Sequence, residues 1–177
     1  QDLFSIDNSN NTLNTIYVSN KSYDNLNLIA TVKTPNTIAN NPAFFGDFNG
    51  DGKIDVFSPS NNSTNNTLFL NKTNTNDATI NFDEKNNVIQ GINWTNYIPK
   101  VADLNGDGIT DILAYNAQTG TQVYILFNIN SSGVLSATNS SSSSLPNNLI
   151  ISTTYEDYFV DFNGDGLVDV LFYEETT

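Results

Sequence analysis

One nine-residue pattern, Asp-x-Asn-Gly-Asp-Gly-x-x-Asp, occurs three times in the 177-residue sequence and constrains its fold more than any other feature. The copies span residues 47–55, 103–111 and 161–169, and two apolar residues follow each copy directly. Agreement over this length, three times, indicates a repeat protein. The copies begin 56 and 58 residues apart, which suits a four-stranded unit with long loops.

The repeat also predicts where the sequence begins and ends within its units. Residues 2–5 match residues 55–58, which lie 53 positions later, so we expect the sequence to open on the last position of a fourth, truncated loop. It closes on the strand that follows the third loop. We expect approximate units at residues 1–46, 47–102, 103–160 and 161–177, which begin and end inside a blade and form part of a larger ring.

Apolar and β-branched segments flank the loops at corresponding places, as strands do. We predict a strand before each loop, a strand after it, and a second strand beyond a turn. Leu26–Val32 and Ile89–Trp94 are candidates for outer strands. The other predicted strands are Pro42–Phe45, Tyr97–Ala102 and Tyr155–Val160 before the loops, Ile54–Ser58, Ile109–Tyr115 and Leu167–Tyr173 after them, and Thr15–Ser19, Thr67–Leu70 and Gln122–Phe127 as second strands.

The apolar residues of these strands are consecutive rather than alternating, which predicts strands that are covered on both faces. Polar runs at residues 61–66, 71–76 and 140–144 are interpreted as turns and loops. Apolar residues do not recur at helical spacing anywhere in the sequence. The predicted fold class is therefore all-β, with about three four-stranded β-propeller blades.

Composition excludes several classes of function. Six basic residues against 19 acidic residues give a net charge of -13, which repels nucleic acids and anionic lipid surfaces. The sequence has no histidine and no cysteine, so thiol and imidazole catalysis, zinc sites and disulfides are absent. It also lacks an apolar run of about 18 residues. We expect neither a nucleic-acid partner nor insertion into a membrane.

The loop pattern is typical of a calcium site. Calcium takes six to eight oxygen ligands, and side chains at loop positions 1, 3, 5 and 9 with the carbonyl of position 7 would supply them. Glycines at positions 4 and 6 permit the tight turn, and a cation would relieve the repulsion among three carboxylates. We expect about three Ca²⁺ ions, one per loop, with ligands Asp47, Asn49, Asp51, Lys53 and Asp55; Asp103, Asn105, Asp107, Ile109 and Asp111; and Asp161, Asn163, Asp165, Leu167 and Asp169.

Hairpin turns are the competing interpretation, since Asn-Gly and Asp-Gly often form them. A turn alone, however, does not require aspartate at positions 1, 5 and 9 in three copies. An EF-hand would need glutamate at position 12 and flanking helices. Position 12 is Ser58, Ala114 or Phe172, and the flanking segments are predicted strands.

A strand, this loop and an apolar strand, repeated over nearly the whole chain, resemble the FG-GAP or VCBS-type repeat of integrin-α-like calcium-binding β-propellers. The resemblance implies radially arranged four-stranded blades, a calcium loop between the first two strands of each blade, and an extracellular protein. The Phe-Gly pair of the family stands at Phe45-Gly46, whereas Val101-Ala102 and Phe159-Val160 occupy the other two sites. This variation is closer to repeats of the bacterial type.

The loops are so alike that none is specialised for turnover, and we expect no enzyme activity. The favoured function is a calcium-stabilised module for binding, adhesion or scaffolding in a secreted or cell-surface protein, with a protein or carbohydrate ligand and the remaining blades of a larger chain as partners. One alternative is a shell or stalk of a large secreted toxin of the RHS or toxin-complex type. Another is a lectin-like or polysaccharide-active propeller using Trp94, Tyr97, Tyr155, Tyr158 and Tyr173 as sugar-stacking faces and Glu156, Asp157, Glu174 or Glu175 as acid and base.

Overall fold

The structure is a computed structural model that describes residues 3–5, 14–19, 26–32, 42–60, 64–74, 81–116, 118–142, 155–165 and 167–174. These residues form thirteen strands in four antiparallel sheets and one three-residue 3₁₀ turn, Trp94–Asn96. Within these ranges, no helix is long and apolar enough to cross a membrane. The all-β fold class is confirmed.

Each strand pairs with its neighbours in sequence, as in the blades of a β-propeller. Sheets B and C have four strands each, sheet A has three and sheet D has two. Sheet A contains β1 (Leu3–Ser5), β2 (Asn14–Ser19) and β3 (Leu26–Val32); sheet B contains β4 (Phe44–Gly46), β5 (Asp55–Pro59), β6 (Asn66–Asn71) and β7 (Phe82–Asn86); sheet C contains β8 (Tyr97–Ala102), β9 (Asp111–Asn116), β10 (Gln122–Ile129) and β11 (Leu135–Ser142); and sheet D contains β12 (Tyr155–Val160) and β13 (Asp169–Glu174).

The three Asp-rich loops occupy the same place in sheets B, C and D, between the first and second strands. Position 9 of each loop opens the second strand, where it pairs with the last residue of the first strand. The pairs are Gly46 with Asp55, Ala102 with Asp111, and Val160 with Asp169. The strands predicted on both sides of the loops, and the strand Leu26–Val32, are confirmed within a few residues.

One predicted strand is wrong. Residues 89–94 do not form an outer strand, because the chain turns at Asn87 (φ 53°) and again at Gly91 (φ 80°). Ile89 and Ile92 instead insert into the core as single anchors, 1% and 5% exposed. The outer strand of sheet B is β7, Phe82–Asn86. Its sequence is mostly charged and polar, so the apolar pattern of a strand is missing.

Polar runs interpreted as loops contribute to two strands. Asn66 and Asn71 begin and end β6, and Ser140 to Ser142 lie in β11. The register between β10 and β11 covers eight residue pairs. Continuous pairing with an apolar neighbour therefore holds a serine-rich segment extended, although its own side chains favour turns.

The larger described apolar cluster lies between sheets B and C; a smaller one is formed by Val56 and Phe69 of sheet B. Phe57 and Leu68 from sheet B, and Ile112 and Ile125 from sheet C, are all fully buried in one apolar cluster. Every residue of β5 and β9 is buried, which confirms for these two strands the prediction that both faces are covered. Apolar burial of this kind contributes about 25 cal/mol per Å², and it joins the two sheets into one packed unit. For β13 the prediction is wrong, because Leu171 is 45% exposed.

Two aromatic contacts lie in this cluster, one between the first loop and sheet C and one between sheet B and the 3₁₀ turn. The rings of Phe48 and Phe127 lie 5.3 Å apart edge to face, and those of Phe57 and Trp94 lie 5.4 Å apart in the same geometry. Edge-to-face pairs add about 0.5–1.5 kcal/mol beyond the area they bury. The loop residue Phe48 thus anchors the first loop to the neighbouring sheet.

The first two loops also touch each other directly. The Thr110 backbone N–H donates to the Asp47 carbonyl at 2.7 Å. Gly46 lies against the Thr110 side chain, and a Cβ added there would come within 2.7 Å of Thr110 Oγ1. The Thr110 side chain therefore packs where a larger residue at position 46 would have its Cβ, and glycine leaves room for it.

Sheet D presents the matching face uncovered within the described part of the chain. Leu171 and Tyr173 are 45% and 54% exposed, whereas Phe57 and Leu113, which correspond to Leu171 in the repeat, are buried. Phe162 is likewise 59% exposed, although its counterpart Phe48 is fully buried. The face of sheet B that carries Phe57 packs against sheet C. The corresponding face of sheet D, which carries Leu171, is exposed.

Candidate metal centre

The first aspartate of each loop organises the backbone around it. In the second loop, Asp103 Oδ1 accepts from the Asp107 N–H at 3.1 Å, and Oδ2 accepts from the Gly108 N–H at 2.8 Å. The first loop has the same bonds, from Asp51 at 3.1 Å and Gly52 at 2.7 Å to Asp47. In the third loop, Asp161 Oδ1 accepts from Asp165 N at 3.2 Å.

Positions 3 and 5 each form an Asx turn with the residue two places further on. Asn105 Oδ1 accepts from Asp107 N at 3.0 Å, and Asp107 Oδ1 accepts from Ile109 N at 2.8 Å. The equivalent bonds are 3.0 Å and 3.0 Å in the first loop and 2.8 Å and 2.8 Å in the third. One N–H therefore brings oxygens from positions 1 and 3 together in every loop.

Glycine is needed at positions 4 and 6 for this winding. The φ angles lie between 68° and 85°, in the left-handed region that residues with a Cβ seldom adopt. The expectation from the sequence is confirmed at each described position, namely Gly50, Gly52, Gly106, Gly108 and Gly164.

Position 9 has a different environment, because its carboxylate lies between strands. Asp55 and Asp111 are fully buried. Asp55 Oδ2 accepts from Phe48 N at 3.0 Å and Oδ1 accepts from Asn71 N at 2.8 Å. Asp111 repeats this with Leu104 N at 3.0 Å and Phe127 N at 2.9 Å. This aspartate thus ties the loop to the strand after next, a role that the sequence reasoning missed.

Burial raises the pKa of both carboxyl groups. Desolvation is the main cause, and the charges of the neighbouring loop carboxylates add to it. The two backbone hydrogen bonds act in the opposite direction, because they favour the ionised form. The net result raises the pKa of Asp55 and of Asp111 from 3.8 to about 6.

These shifts predict how stability depends on pH without metal. Because the folded pKa is about 6 and the ordinary value is 3.8, the folded state binds more protons between these limits. Stability should therefore rise as the pH falls from about 7 to about 4. Urea denaturation in EDTA at a series of pH values measures this. The variant Asp55→Asn/Asp111→Asn should have a flatter profile, and an unchanged profile in that variant would contradict the assignment.

The donor set fits calcium in its chemistry. All predicted ligand atoms are oxygens, which calcium prefers. An ionised carboxylate can accept about four hydrogen bonds. Asp103 accepts three, including one from Gly106 N at 2.8 Å, so a lone pair remains for a cation. The Asn105 oxygen accepts one bond from the loop and also has a lone pair left.

The described loop carboxylates do not converge on a common point. In the ranges that the structure describes, no three acidic side chains stand in an arrangement that could hold a metal ion. The carbonyls of Lys53, Ile109 and Leu167 remain predicted ligands.

The aromatic residues proposed as sugar platforms divide into three groups. Trp94 is only 3% exposed and packs edge to face on Phe57, so its assignment as a stacking face is wrong. Tyr97 is half-buried against the same core. Tyr158 and Tyr173 are 50% and 54% exposed. The side chains of Tyr155, Glu156, Asp157, Glu174 and Glu175 lie outside the described residues.

Comparison with family models matches the FG-GAP-like repeat twice, over residues 47–114 and 103–172. Each match begins on an Asp-rich loop and extends into the strand after the next loop. Comparisons with curated proteins and with solved structures gave no match. Since the two matches together span residues 47–172 of the 177, the chain belongs to the FG-GAP-like repeat family.

Proposed function

We propose that this chain is a non-enzymatic, calcium-stabilised β-propeller module for binding, adhesion or scaffolding in a secreted or cell-surface protein. The observation that carries the proposal is the common geometry of the three loops. In each one, oxygens of positions 1 and 3 meet at one backbone N–H, and position 5 turns back on position 7. Plain hairpin turns do not need this arrangement.

Calcium has a structural role in this proposal. Each loop joins the first two strands of its sheet. An ion bound in the loop would therefore stabilise the connection between these two strands. Extracellular calcium is millimolar, and extracellular modules bind it with Kd values of roughly 10⁻⁴ to 10⁻³ M. Secretion is supported by the extracellular occurrence typical of this family and by the net charge of -13, much of which lies in the loops.

The open face of sheet D supports the proposal that further repeats are a partner. Leu171 lies opposite Tyr158 in the register, and Tyr173 lies two residues along the same strand, so all three side chains share one face. The corresponding face of sheet B packs on sheet C through Phe57. Another repeat unit would cover Leu171 and Tyr173 in the same way, and such blade packing competes with sugar binding for these tyrosines.

Isothermal titration with CaCl₂ tests the calcium sites. The 177-residue protein should bind calcium with a Kd in the range of roughly 10⁻⁴ to 10⁻³ M. The triple variant Asp51→Asn/Asp107→Asn/Asp165→Asn should lose this heat, because each change removes an exposed position-5 charge from one loop. The variant Asp83→Asn/Glu84→Gln, altered in the outer strand β7, is the control and should bind as the parent does. No calcium heat in the parent protein would contradict the proposal.

A further inference from the structure

Among the described ion pairs, those to a loop carboxylate are all in the first loop, where two lysines lie near the position-5 carboxylate. Lys53 Nζ lies 3.4 Å from Asp51 Oδ2, and Lys72 Nζ lies 3.9 Å from the same oxygen. Position 7 is Lys53 here, but it is Ile109 or Leu167 in the other loops. The first loop therefore carries its own counter-ions.

Lys72 reaches the loop because of the fold. The N–H of the preceding residue, Asn71, bonds to Asp55 at 2.8 Å, so strand β6 ends beside the loop. In sheet C the N–H of Phe127 makes the equivalent bond to Asp111, which places Asn128 at the position of Lys72. An uncharged residue therefore stands where the first loop has an ammonium group.

The hydrogen bonds around position 5 differ accordingly. In the second and third loops, the asparagine of position 3 donates to the second carboxylate oxygen, at 2.9 Å from Asn105 to Asp107 and 3.0 Å from Asn163 to Asp165. Asn49 instead donates to Asp55 Oδ2 at 3.3 Å. The Lys53 ammonium group takes the place of the amide as donor to the position-5 carboxylate, and Lys72 adds an ion pair at 3.9 Å.

These contacts would oppose a cation at the first loop. A cation that uses Asp51 must either displace the ammonium groups or bind beside them. For a divalent ion at an assumed separation of about 7 Å from one ammonium group in water, Coulomb repulsion would lower affinity by roughly five- to tenfold. Lys53 and Lys72 are 39% and 49% exposed, so they can swing outward and relieve part of this repulsion.

We propose that Lys53 and Lys72 make the first loop the weakest of the three calcium sites, by at least about fivefold in affinity. This inference rests on the proposed function, because it assigns an order of filling to the same loops. The second and third loops fill first as calcium rises. The first loop, whose position-5 charge is neutralised internally, loads last.

Backbone amide NMR of the full chain during a CaCl₂ titration resolves the three loops. The reporters are the amide signals of Gly52, Gly108 and Gly164, one from each loop. The Gly52 signal should reach its midpoint at a free calcium concentration at least about fivefold above that of Gly108. In the variant Lys53→Ile/Lys72→Asn, which installs the second loop's residues, the Gly52 midpoint should fall close to that of Gly108.

Two further variants make the test specific. Leu167→Lys, at a site that is 46% exposed, should raise the Gly164 midpoint without moving that of Gly108. Lys85→Asn removes a lysine that pairs with Asp83 at 3.0 Å outside the loops, and it should move no midpoint. A Gly52 midpoint equal to or below that of Gly108, or one unmoved by the double variant, would overturn the inference alone. If none of the three glycine amide signals shifted on addition of CaCl₂, the proposed function would be overturned as well.

Discussion

Replacement of Phe48 by alanine should lower the free energy of unfolding by about 3–5 kcal/mol, as for other fully buried aromatics. Phe48 is completely buried, with its ring 6.2 Å from Phe57 and 5.3 Å from Phe127. It joins the first loop, sheet B and sheet C at one point. Its removal would leave a cavity that three rigid elements cannot easily close. Chemical denaturation in EDTA measures the loss without a contribution from metal.

Phe162 supplies the matched control, because it occupies the same position of the third loop. It is 59% exposed, so Phe162→Ala should cost less than about 1 kcal/mol. The two variants remove the same atoms from the same loop motif and differ only in what covers them. Equal losses for both would contradict the assignment of the core to the interface between sheets B and C.

Replacement of Asp111 by alanine should lower the free energy of unfolding by about 2–5 kcal/mol in EDTA at pH 7.5. The change leaves the N–H groups of Leu104 and Phe127 without their acceptors, which lie at 3.0 Å and 2.9 Å. An unsatisfied buried donor costs about 1–3 kcal/mol. Because the buffer contains no free calcium, the loss reports the structural role of this carboxylate and not its role as a ligand.

Asp107→Ala is the control in the same loop. Asp107 is exposed and accepts from Ile109 N at 2.8 Å and from the Asn105 amide at 2.9 Å. Water can replace these bonds, so the loss should stay below about 1 kcal/mol. Asp111→Asn keeps one acceptor oxygen, so its loss of unfolding free energy should lie between the losses for Asp107→Ala and Asp111→Ala. An Asp111→Ala variant as stable as Asp107→Ala would show that position 9 does not tie the strands together.

The loop motif made much of the fold predictable from sequence. Its spacing located the repeated units, and the apolar residues after Asp55, Asp111 and Asp169 marked the second strand of each sheet. The outer strands of sheets B and C were harder to find than Leu26–Val32 of sheet A, because their side chains lack its apolar signal. Strand β7 is charged and strand β11 is rich in serine, so pairing with an apolar neighbour decides their conformation. Ile89 and Ile92 are apolar and buried, but they do not belong to a strand.

The sequence located the three loops but not the division of roles among their side chains; the calcium ligands stay predictions. The pattern gives positions 1, 3, 5 and 9 equal standing, whereas the structure places Asp55 and Asp111 in the interior, hydrogen-bonded to backbone. The only sequence signal for this is the apolar pair that follows position 9 directly. Lys53 is visible in the sequence as an exception at position 7. Lys72 could not be found, since only the pairing of β5 with β6 brings it to the loop.

Thermal unfolding with and without calcium tests the central claim most directly. A ligand that binds only the folded state stabilises it by RT ln(1 + [L]/Kd), which is about 1.4 kcal/mol per site at tenfold excess over Kd. For a chain of this size, several such sites should raise Tm by about 5 °C or more. We therefore expect Tm of the full chain in saturating CaCl₂ to exceed Tm in EDTA by this margin, and MgCl₂ at equal ionic strength to raise it less. Equal Tm values in calcium and in EDTA would contradict the account.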